Sequence, residues 1–415
     1  EMQRSLVGSE MCIRDRTNTL LEISNYLYKK NSDGANEVIN NLERTYMQHV
    51  EELFTTDEYK QKTITFLQSE FAYMRSFTKD IFTSFEEKSI VAQGEIMSTN
   101  MMLNYLEEIG IKAILISALD FMRTDKNSEP DAQYIKEKLT NIMADNEGYQ
   151  IYLTQGFICR NAYGETDNLL RGGSDFTASL IGVALQAEEI QIWTDIDGMH
   201  NNDPRYVENT RPVERLNFEE AAELAYFGAK ILHPTCVQPA KLNNIPVRLL
   251  STLDPSAKGT LIDNMAADHT IKAVAAKDGI TAIRVKSSRM LLAYGFMSKV
   301  FEIFEAHKTP IDMVTVSEVG VSVTVDNERN LESIIAELRK FGTVTIDHDM
   351  VIICVVGDLE WQNRGFEAKA LAALKDIPVR MISYGGSNCN ISFLIRKEDK
   401  VAALAKLSEE LFNRQ

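Results

Sequence analysis

Between Thr17 and about Phe85, apolar positions recur at helical spacing, with stripes such as Leu20, Ile23 and Leu27 among polar and charged residues. This pattern predicts successive amphipathic helices. Further on the period changes. A helix from about Glu95 should end at Gly110, a residue suited to the left-handed position just past a helix. A strand is predicted over 112–119, a helix over 131–144, a strand over 149–158, a helix over 175–187 and a strand over 189–193. Asn217 with Glu220 three residues on reads as a capping box, opening a helix with Phe218, Ala222, Ala225 and Ala229 inward. A last strand covers 245–250. Strands alternating with helices predict an α/β domain, a mostly parallel sheet sandwiched by helices.

The stretch 251–270, with Pro255 and Gly259 among mixed polar residues, reads as a link between domains. Beyond it the pattern repeats. Pro310-Ile311-Asp312-Met313-Val314 leads into the alternating Val319, Val321, Val323 and Val325, and Pro378-Val379-Arg380-Met381-Ile382 leads into 391–395. Each copy follows an amphipathic helix, one bearing Val300, Ile303 and Phe304, the other Phe366, Ala370 and Leu374. Each precedes another, with Leu331, Ile335 and Leu338 in the first and Val401, Leu404 and Leu411 in the second. Two ferredoxin-like βαββαβ modules are therefore expected after the α/β domain.

At 415 residues the chain has room for two or three domains. Its longest apolar run, Met350 to Val356, is strand-sized and far too short to span a bilayer. With no signal pattern at the start, the expectation is a cytoplasmic protein. Five scattered cysteines and six unclustered histidines match no disulfide framework or zinc spacing, so thiols should be reduced and any metal should arrive with a nucleotide. The formal net charge of −16 opposes nucleic-acid binding and requires any anion site to gather its positive groups locally. Residues 1–16 show no period. Their SLVGSEMCIRDR stretch resembles the translation of a sequencing adapter, and this segment is expected to be a non-native scar.

Four segments carry candidate chemistry. In Leu169-Leu170-Arg171-Gly172-Gly173-Ser174-Asp175, the two glycines permit close backbone approach and Ser174 is placed to cap a helix. A helix N-terminus suits phosphate or carboxylate, and Arg171 can grip a carboxylate with two parallel hydrogen bonds. A plain Gly-Gly turn beside a solvated Arg would have the same sequence. Trp193-Thr194-Asp195-Ile196-Asp197-Gly198, running on to Asp203-Pro204-Arg205, leaves the end of a buried strand, where open α/β sheets take ligands. Taken alone, the segment reads somewhat better as an ordinary polar strand-to-helix turn. Lys230, in Phe227-Gly228-Ala229-Lys230, fits a phosphate contact or a helix-end surface lysine. Glu95, in Gln93-Gly94-Glu95-Ile96-Met97-Ser98-Thr99, stands where acids commonly open helices.

RGGSDFTA, WTDIDGMHNNDPR, FGAKILHPT and AQGEIMST, at these spacings, resemble the aspartate kinases of the amino-acid kinase family, with similarity from about Thr17 to the C-terminus. The resemblance implies that Arg171 binds the α-carboxylate of L-aspartate, beside Gly172, Gly173 and Ser174. It puts Glu95 on the amino group, with Ser98 nearby, and has Asp175 organise the active-site lysines. Trp193, Thr194, Asp195, Gly198, His200 and Arg205 would line the site for ATP and its Mg²⁺, with Lys230 at the phosphates. His200 stands where relatives often carry an aromatic residue, and Leu170 where many have glycine.

The repeat resembles paired ACT domains that bind a feedback amino acid, lysine or threonine, and pair between subunits of a homodimer. By resemblance the catalytic domain spans 17–262, a linker 263–270, the first ACT domain 287–364, and the second 271–286 with 365–415. Met290, Asp312, Ser317 and Glu318 match effector-binding positions of lysine-sensitive members, while Ala293 replaces a serine found in some of them. The family's opening strand and Lys-Phe-Gly-Gly-Thr-Ser segment have no counterpart in this sequence, so the chain as written is expected to have low or no activity. The competing expectations are a non-catalytic amino-acid-sensing subunit and a kinase of another amino acid.

Overall fold

The computed structural model describes residues 17–79, 81–169, 172–228, 234–264, 270–287 and 295–412. Two compact units emerge, one from residues up to Ile196 together with Thr235–Ala257, the other from Asp197–Pro234 and from Lys258 onward. No helix among the described residues is long and apolar enough to cross a membrane.

The first unit opens with α1 (17–28), α2 (Ser32–Leu53), α3 (Asp57–Ser76) and α4 (Ser84–Glu108). Their apolar stripes meet in a core of Leu20, Ile23, Leu27, Ile39, Tyr46, Phe71, Ile90 and Met97, as the spacing predicts. α4 does not begin near Glu95. It starts about three turns earlier, where Thr83 and Glu86 form a capping box and the Thr83 N–H donates to Glu86 Oε2 at 2.8 Å. Glu86 and Glu87 are the first-turn acids, which leaves Glu95 in mid-helix. The far end behaves as expected. Gly110 takes φ +80°, and the N–H groups of Ile111 and Gly110 donate to the carbonyls of Leu106 and Glu107, a Schellman closure.

The α/β part follows with β1 (Ala113–Leu115), α5 (Ala118–Phe121), α6 (Ala132–Asp145), β2 (Ile151–Leu153), β3 (Ile158–Arg160), β4 (Thr166–Asn168), α7 (Gly173–Leu185) and β5 (Ile190–Thr194). The chain continues through β6 (Arg215–Asn217), α8 (Phe218–Tyr226), α9 (Pro234–Leu242), β7 (Val247–Ser251) and β8 (Thr260–Asp263). In the first unit β1 pairs with β2 and β5 with β7, both parallel, while β3 and β4 form an antiparallel hairpin. Ile116, Phe121, Leu139, Ile158, Leu169 and Leu180 fill the core beneath. Two predicted strands are shorter than their patterns: 112–119 ends at Leu115 before a helical turn, and 149–158 breaks at Leu153. Likewise 260–263, read as linker, is strand β8.

In the second unit the Asn217–Glu220 capping box is present as expected. The face of α8 that turns inward is Phe218, Ala221 and Leu224, with Ala222 and Ala225 only half-buried. Then come β9 (Ile271–Lys286), α10 (Phe296–Ala306), β10 (Val314–Ser317), β11 (Gly320–Val325), α11 (Leu331–Leu338), β12 (Thr343–Gly357), α12 (Phe366–Ala373), β13 (Met381–Tyr384), β14 (Asn390–Arg396) and α13 (Lys400–Phe412). They build one antiparallel six-stranded sheet, ordered β10-β11-β9-β12-β14-β13.

The 16-residue β9 and 15-residue β12 each serve two cores. Ile283 and Val285 pack with Val300, Phe304, Val323, Ile335 and Leu338. Val274, Val351, Ile353 and Val355 pack with Phe366, Ala370, Phe393 and Leu404. The register slips between Asp347 and Met350, where Asp349 and Gly279 adopt φ of +53° and +75°. Val401, expected on the buried face of α13, is 51% exposed, because Ala403, Leu404 and Leu407 form that face.

Candidate active site

Helix α4 lies between the two cores of the first unit. Ile90, Met97 and Met101 face the helical core, whereas Ala92 and Ile96 pack in the α/β core. Glu95 and Thr99 lie within about 60° of Ala92 around the helix axis, hence on the α/β side. Burial pushes the Glu95 carboxyl up to about 7.

Gln155 ties this stretch of α4 to the sheet. Its Nε2 donates to Thr99 Oγ1 at 2.9 Å, and its Oε1 accepts from the Ala118 N–H at 2.8 Å. The Thr99 hydroxyl itself donates to the Glu95 carbonyl at 2.8 Å, and Ser98 Oγ to the same oxygen at 3.2 Å. Gln155 is 3% exposed, so each of these partners replaces water it cannot reach. Ala118 and Gln155 follow the parallel strands β1 and β2, which places the junction at the carboxyl ends of the strands.

The turn 155–157 abuts the start of α7 backbone to backbone. A Cβ on Gly156 would lie 3.0 Å from Ser174 Cα, and one on Gly173 would lie 2.7 Å from the Phe157 ring and 3.2 Å from its Cα. Phe157 holds φ +68°, and its N–H donates to Thr177 Oγ1 at 3.1 Å. The capping residue is Gly172 at φ +77°, not Ser174, because this left-handed residue already turns the chain into the helix. Ser174 stands in the first turn, exposed. Asp175 follows it, and burial pushes its carboxyl up to about 6, outweighing the pull of the helix N-terminus toward the ionised form. Arg171 lies outside the described residues.

The carboxyl end of β5 reaches the same level. A Cβ on Gly182 would lie 2.5 Å from the Ile190 side chain, so α7 and β5 touch there. From that contact the helix returns about 13 Å to Gly173 while the strand rises about 13 Å to Thr194. Thr194 Oγ1 donates to Asp195 Oδ1 at 3.1 Å, and its carbonyl accepts from the Thr252 N–H at 2.8 Å. Trp193 is 41% exposed, its Nε1 donating to Gln191 Oε1 at 3.2 Å.

The rest of the predicted nucleotide loop belongs to the second unit. Gly198, at φ +126°, lets the chain pass Thr260, whose hydroxyl accepts from the Met199 N–H at 2.9 Å. His200 is fixed between Asp197 Oδ1 at 2.6 Å and Thr210 Oγ1 at 2.9 Å. Arg205 clamps Asp203, with Nε to Oδ1 at 2.9 Å and Nη2 to Oδ2 at 2.7 Å. Lys230 and Met290 lie outside the described residues.

Asp312 precedes β10, whereas Ser317 and Glu318 stand exposed at its other end. The Asp312 side chain is 2% exposed and accepts from Lys277 Nζ at 2.6 Å and from the Tyr226 hydroxyl at 2.5 Å. The Tyr226 hydroxyl is pushed well above its ordinary range, first by burial and then by that carboxylate.

Sequence reasoning missed Gln155, Gly156 and Phe157. The apolar Phe157 and Ile158 prolong the strand pattern past its end at Leu153, and only Gly156 hints at a close approach.

This arrangement has known counterparts. A profile described as amino acid kinase family matches residues 16–251, and one described as ACT domain matches 353–411. "Lysine-sensitive aspartokinase 3" of Escherichia coli (strain K12) is 34% identical over 337 residues, 78% of this chain and 75% of that protein. "Aspartokinase 1, chloroplastic" of Arabidopsis thaliana is 35% identical over 344 residues, and the match spans 60% of its length. The crystal structure of E. coli aspartokinase III in complex with aspartate and ADP superposes with a TM-score of 0.77 at 30% identity, covering 94% of this chain and 91% of that one. Clostridium acetobutylicum aspartate kinase, at 23% identity and a TM-score of 0.81, shares the fold over 95% of this chain and 89% of its own. The chain belongs to the amino acid kinase family and, within it, to the aspartokinases.

Proposed function

We propose that this protein transfers the γ-phosphoryl group of ATP to the side-chain carboxylate of L-aspartate, giving 4-phospho-L-aspartate, under feedback control by lysine or threonine at its ACT modules. The observation that carries the proposal is the junction of α4, the turn 155–157 and the N-terminus of α7, at the carboxyl ends of parallel strands. It offers a half-buried acid, Glu95, for the substrate ammonium. It also offers the N–H groups of Gly173, Ser174 and Asp175 for the α-carboxylate, a role Arg171 would share by family resemblance.

The acceptor carboxylate ionises at about 3.9, so it is a nucleophile without a general base. The difficulty is bringing it to a polyanionic triphosphate, which calls for alignment and charge cancellation rather than proton transfer. Thr194 and Asp195 supply one hydroxyl and one carboxylate, a donor set suited to a Mg²⁺ held mainly by phosphate oxygens and water. Bound there, the ion would neutralise charge between the phosphates. Lys230 would serve the transferred group and Arg205 the nucleotide.

Among the described residues Asp312 Oδ2 is buried with no hydrogen-bond partner, an acceptor for the ammonium of an effector amino acid; by family resemblance Met290, Ser317 and Glu318 would be further contacts. The lysine sensitivity named for the E. coli relative, and a solved structure of that enzyme with lysine and aspartate, support lysine as the first effector to test. Pairing of the modules into a homodimer and a cytoplasmic location belong to the same reading.

The test is ATP-dependent hydroxamate formation from aspartate and hydroxylamine. Acyl phosphate trapped with aspartate but not glutamate supports the proposal. A protein that binds lysine or threonine and forms no hydroxamate is a sensor instead. A second expectation concerns Gln155. Replacing it with leucine strands the Ala118 N–H and frees α4, and should raise KM for aspartate about tenfold, with KM for ATP unchanged in initial-rate kinetics.

A further inference from the structure

The loop 199–213 carries the Asp203-Pro204-Arg205 turn assigned above to the nucleotide, and the following inference rests on that assignment. The loop closes on itself. The Asn201 N–H donates to the Arg211 carbonyl at 2.9 Å and the Val213 N–H to the Met199 carbonyl at 2.7 Å. Its floor is the second ACT core. The Val274 N–H of β9 donates to the Asn201 carbonyl at 2.9 Å, and Asn202 Nδ2 donates to the Leu404 carbonyl of α13 at 3.0 Å. Val207 sits in the same apolar cluster as Phe393 and Leu404.

Lys400 stands at the centre of this junction. It is 5% exposed, its Nζ lies 2.7 Å from Asp278 Oδ2, and the same Nζ lies 4.1 Å from the Tyr206 ring centroid. The Arg205 guanidinium lies 5.7 Å from that ring. Two physical facts oppose a lysine here. Burying an ammonium costs desolvation and side-chain entropy. Lys400 is also the first residue of α13, where the helix field disfavours a cation. A methionine would fill the space without the desolvation cost or the unfavourable helix field. What the ammonium adds is direction, because it attracts the face of one ring and one carboxylate and so fixes the ring next to Arg205.

We propose that Lys400 is a positioning residue for nucleotide binding: by holding Tyr206 against the second ACT core, it fixes the Asp203-Pro204-Arg205 turn, in which Arg205 stays clamped to Asp203. The regulatory sheet and the nucleotide loop thereby share a side chain on which neither substrate binds directly.

The test uses the full chain and Mg·ADP in titration calorimetry, with Lys400→Met, Lys400→Arg, Tyr206→Leu and Tyr206→Phe. Lys400→Met and Tyr206→Leu should each weaken ADP binding about tenfold. Lys400→Arg and Tyr206→Phe, which keep the cation and the ring, should stay within about twofold of the parent. KM for aspartate should not move in any of the four. Equal ADP affinity in Lys400→Met and the parent overturns the proposal, as does a parallel loss of both affinities with a lowered melting temperature. Should Lys400→Met fail to fold, the Tyr206→Leu and Tyr206→Phe pair decides by the same criterion. A parent that binds ADP but forms no aspartyl hydroxamate removes the kinase reading and leaves this one standing. A parent that binds no ADP removes both.

Discussion

Glu95→Gln should lower kcat/KM for aspartate at least about a hundredfold while leaving ADP affinity within about twofold, because a buried charge-assisted contact to the substrate ammonium is lost. The pH dependence gives the assignment a second signature. In the free protein burial holds the Glu95 carboxyl at about 7. Aspartate binds with its ammonium charged, so it needs the ionised carboxylate, and its KM should fall about tenfold between pH 6 and pH 8. The variant should show no such slope.

Stability should run the other way. The folded-state pKa lies above the ordinary carboxylate value of 4.5, so the native state holds the proton more tightly than the unfolded chain. That contribution is fully present below about 4.5 and is lost as pH rises through about 7. Glu95→Gln should therefore melt higher than the parent at pH 8, by a margin on the order of 3 kcal/mol, and lose the advantage near pH 4.5. Asp175, pushed up to about 6 by burial, adds to the same trend. A Glu95→Gln variant no more stable than the parent at pH 8 would contradict this account.

Gly228→Ala should be strongly disruptive in the second unit. Gly228 holds φ +137°, and a Cβ there would lie 2.3 Å from the Ala276 carbonyl oxygen. Both obstacles are backbone, so no side chain can rotate away. The expected loss exceeds about 4 kcal/mol, seen as a collapse of the urea midpoint and of nucleotide binding. Gly295→Ala and Gly365→Ala are the controls. These residues hold φ of +78° and +93° with no atom of the described residues within 4 Å of the added carbon, so each should cost only about 1 kcal/mol. Equal costs at all three positions would show that conformation alone, and not the contact with Ala276, governs Gly228.

What the sequence made legible was local. Gly110 after a helical stripe, the Asn217–Glu220 box and the doubled Pro-Ile-Asp and Pro-Val-Arg entries each concern neighbours within a few residues, and all stand in the structure. The RGGSD, WTD and GE segments identified the family because their order is specific, not because any one of them has a unique geometry. Glu95 was misplaced at a helix start because Thr83-Ser84-Phe85-Glu86 carries the same capping chemistry inside a polar stretch. Gln155 was invisible since its value lies in partners 37 and 56 residues away. Lys400 reads as a surface charge on an amphipathic helix until Tyr206 and Asp278 are brought to it by the chain's return.

The two long strands carry a consequence of another kind. Since β9 and β12 thread both ACT cores, neither core owns a complete sheet of its own. Melting one would tear inter-strand hydrogen bonds from strands whose remaining halves hold the other together. The pair therefore behaves as a single cooperative element, interrupted at register slips between Asp347 and Met350, Met350 and Ile352, and Val356 and Gly357. A ligand gripping either half stiffens a common girder, and a signal entering at one edge of the sheet needs no moving joint to be felt at the other.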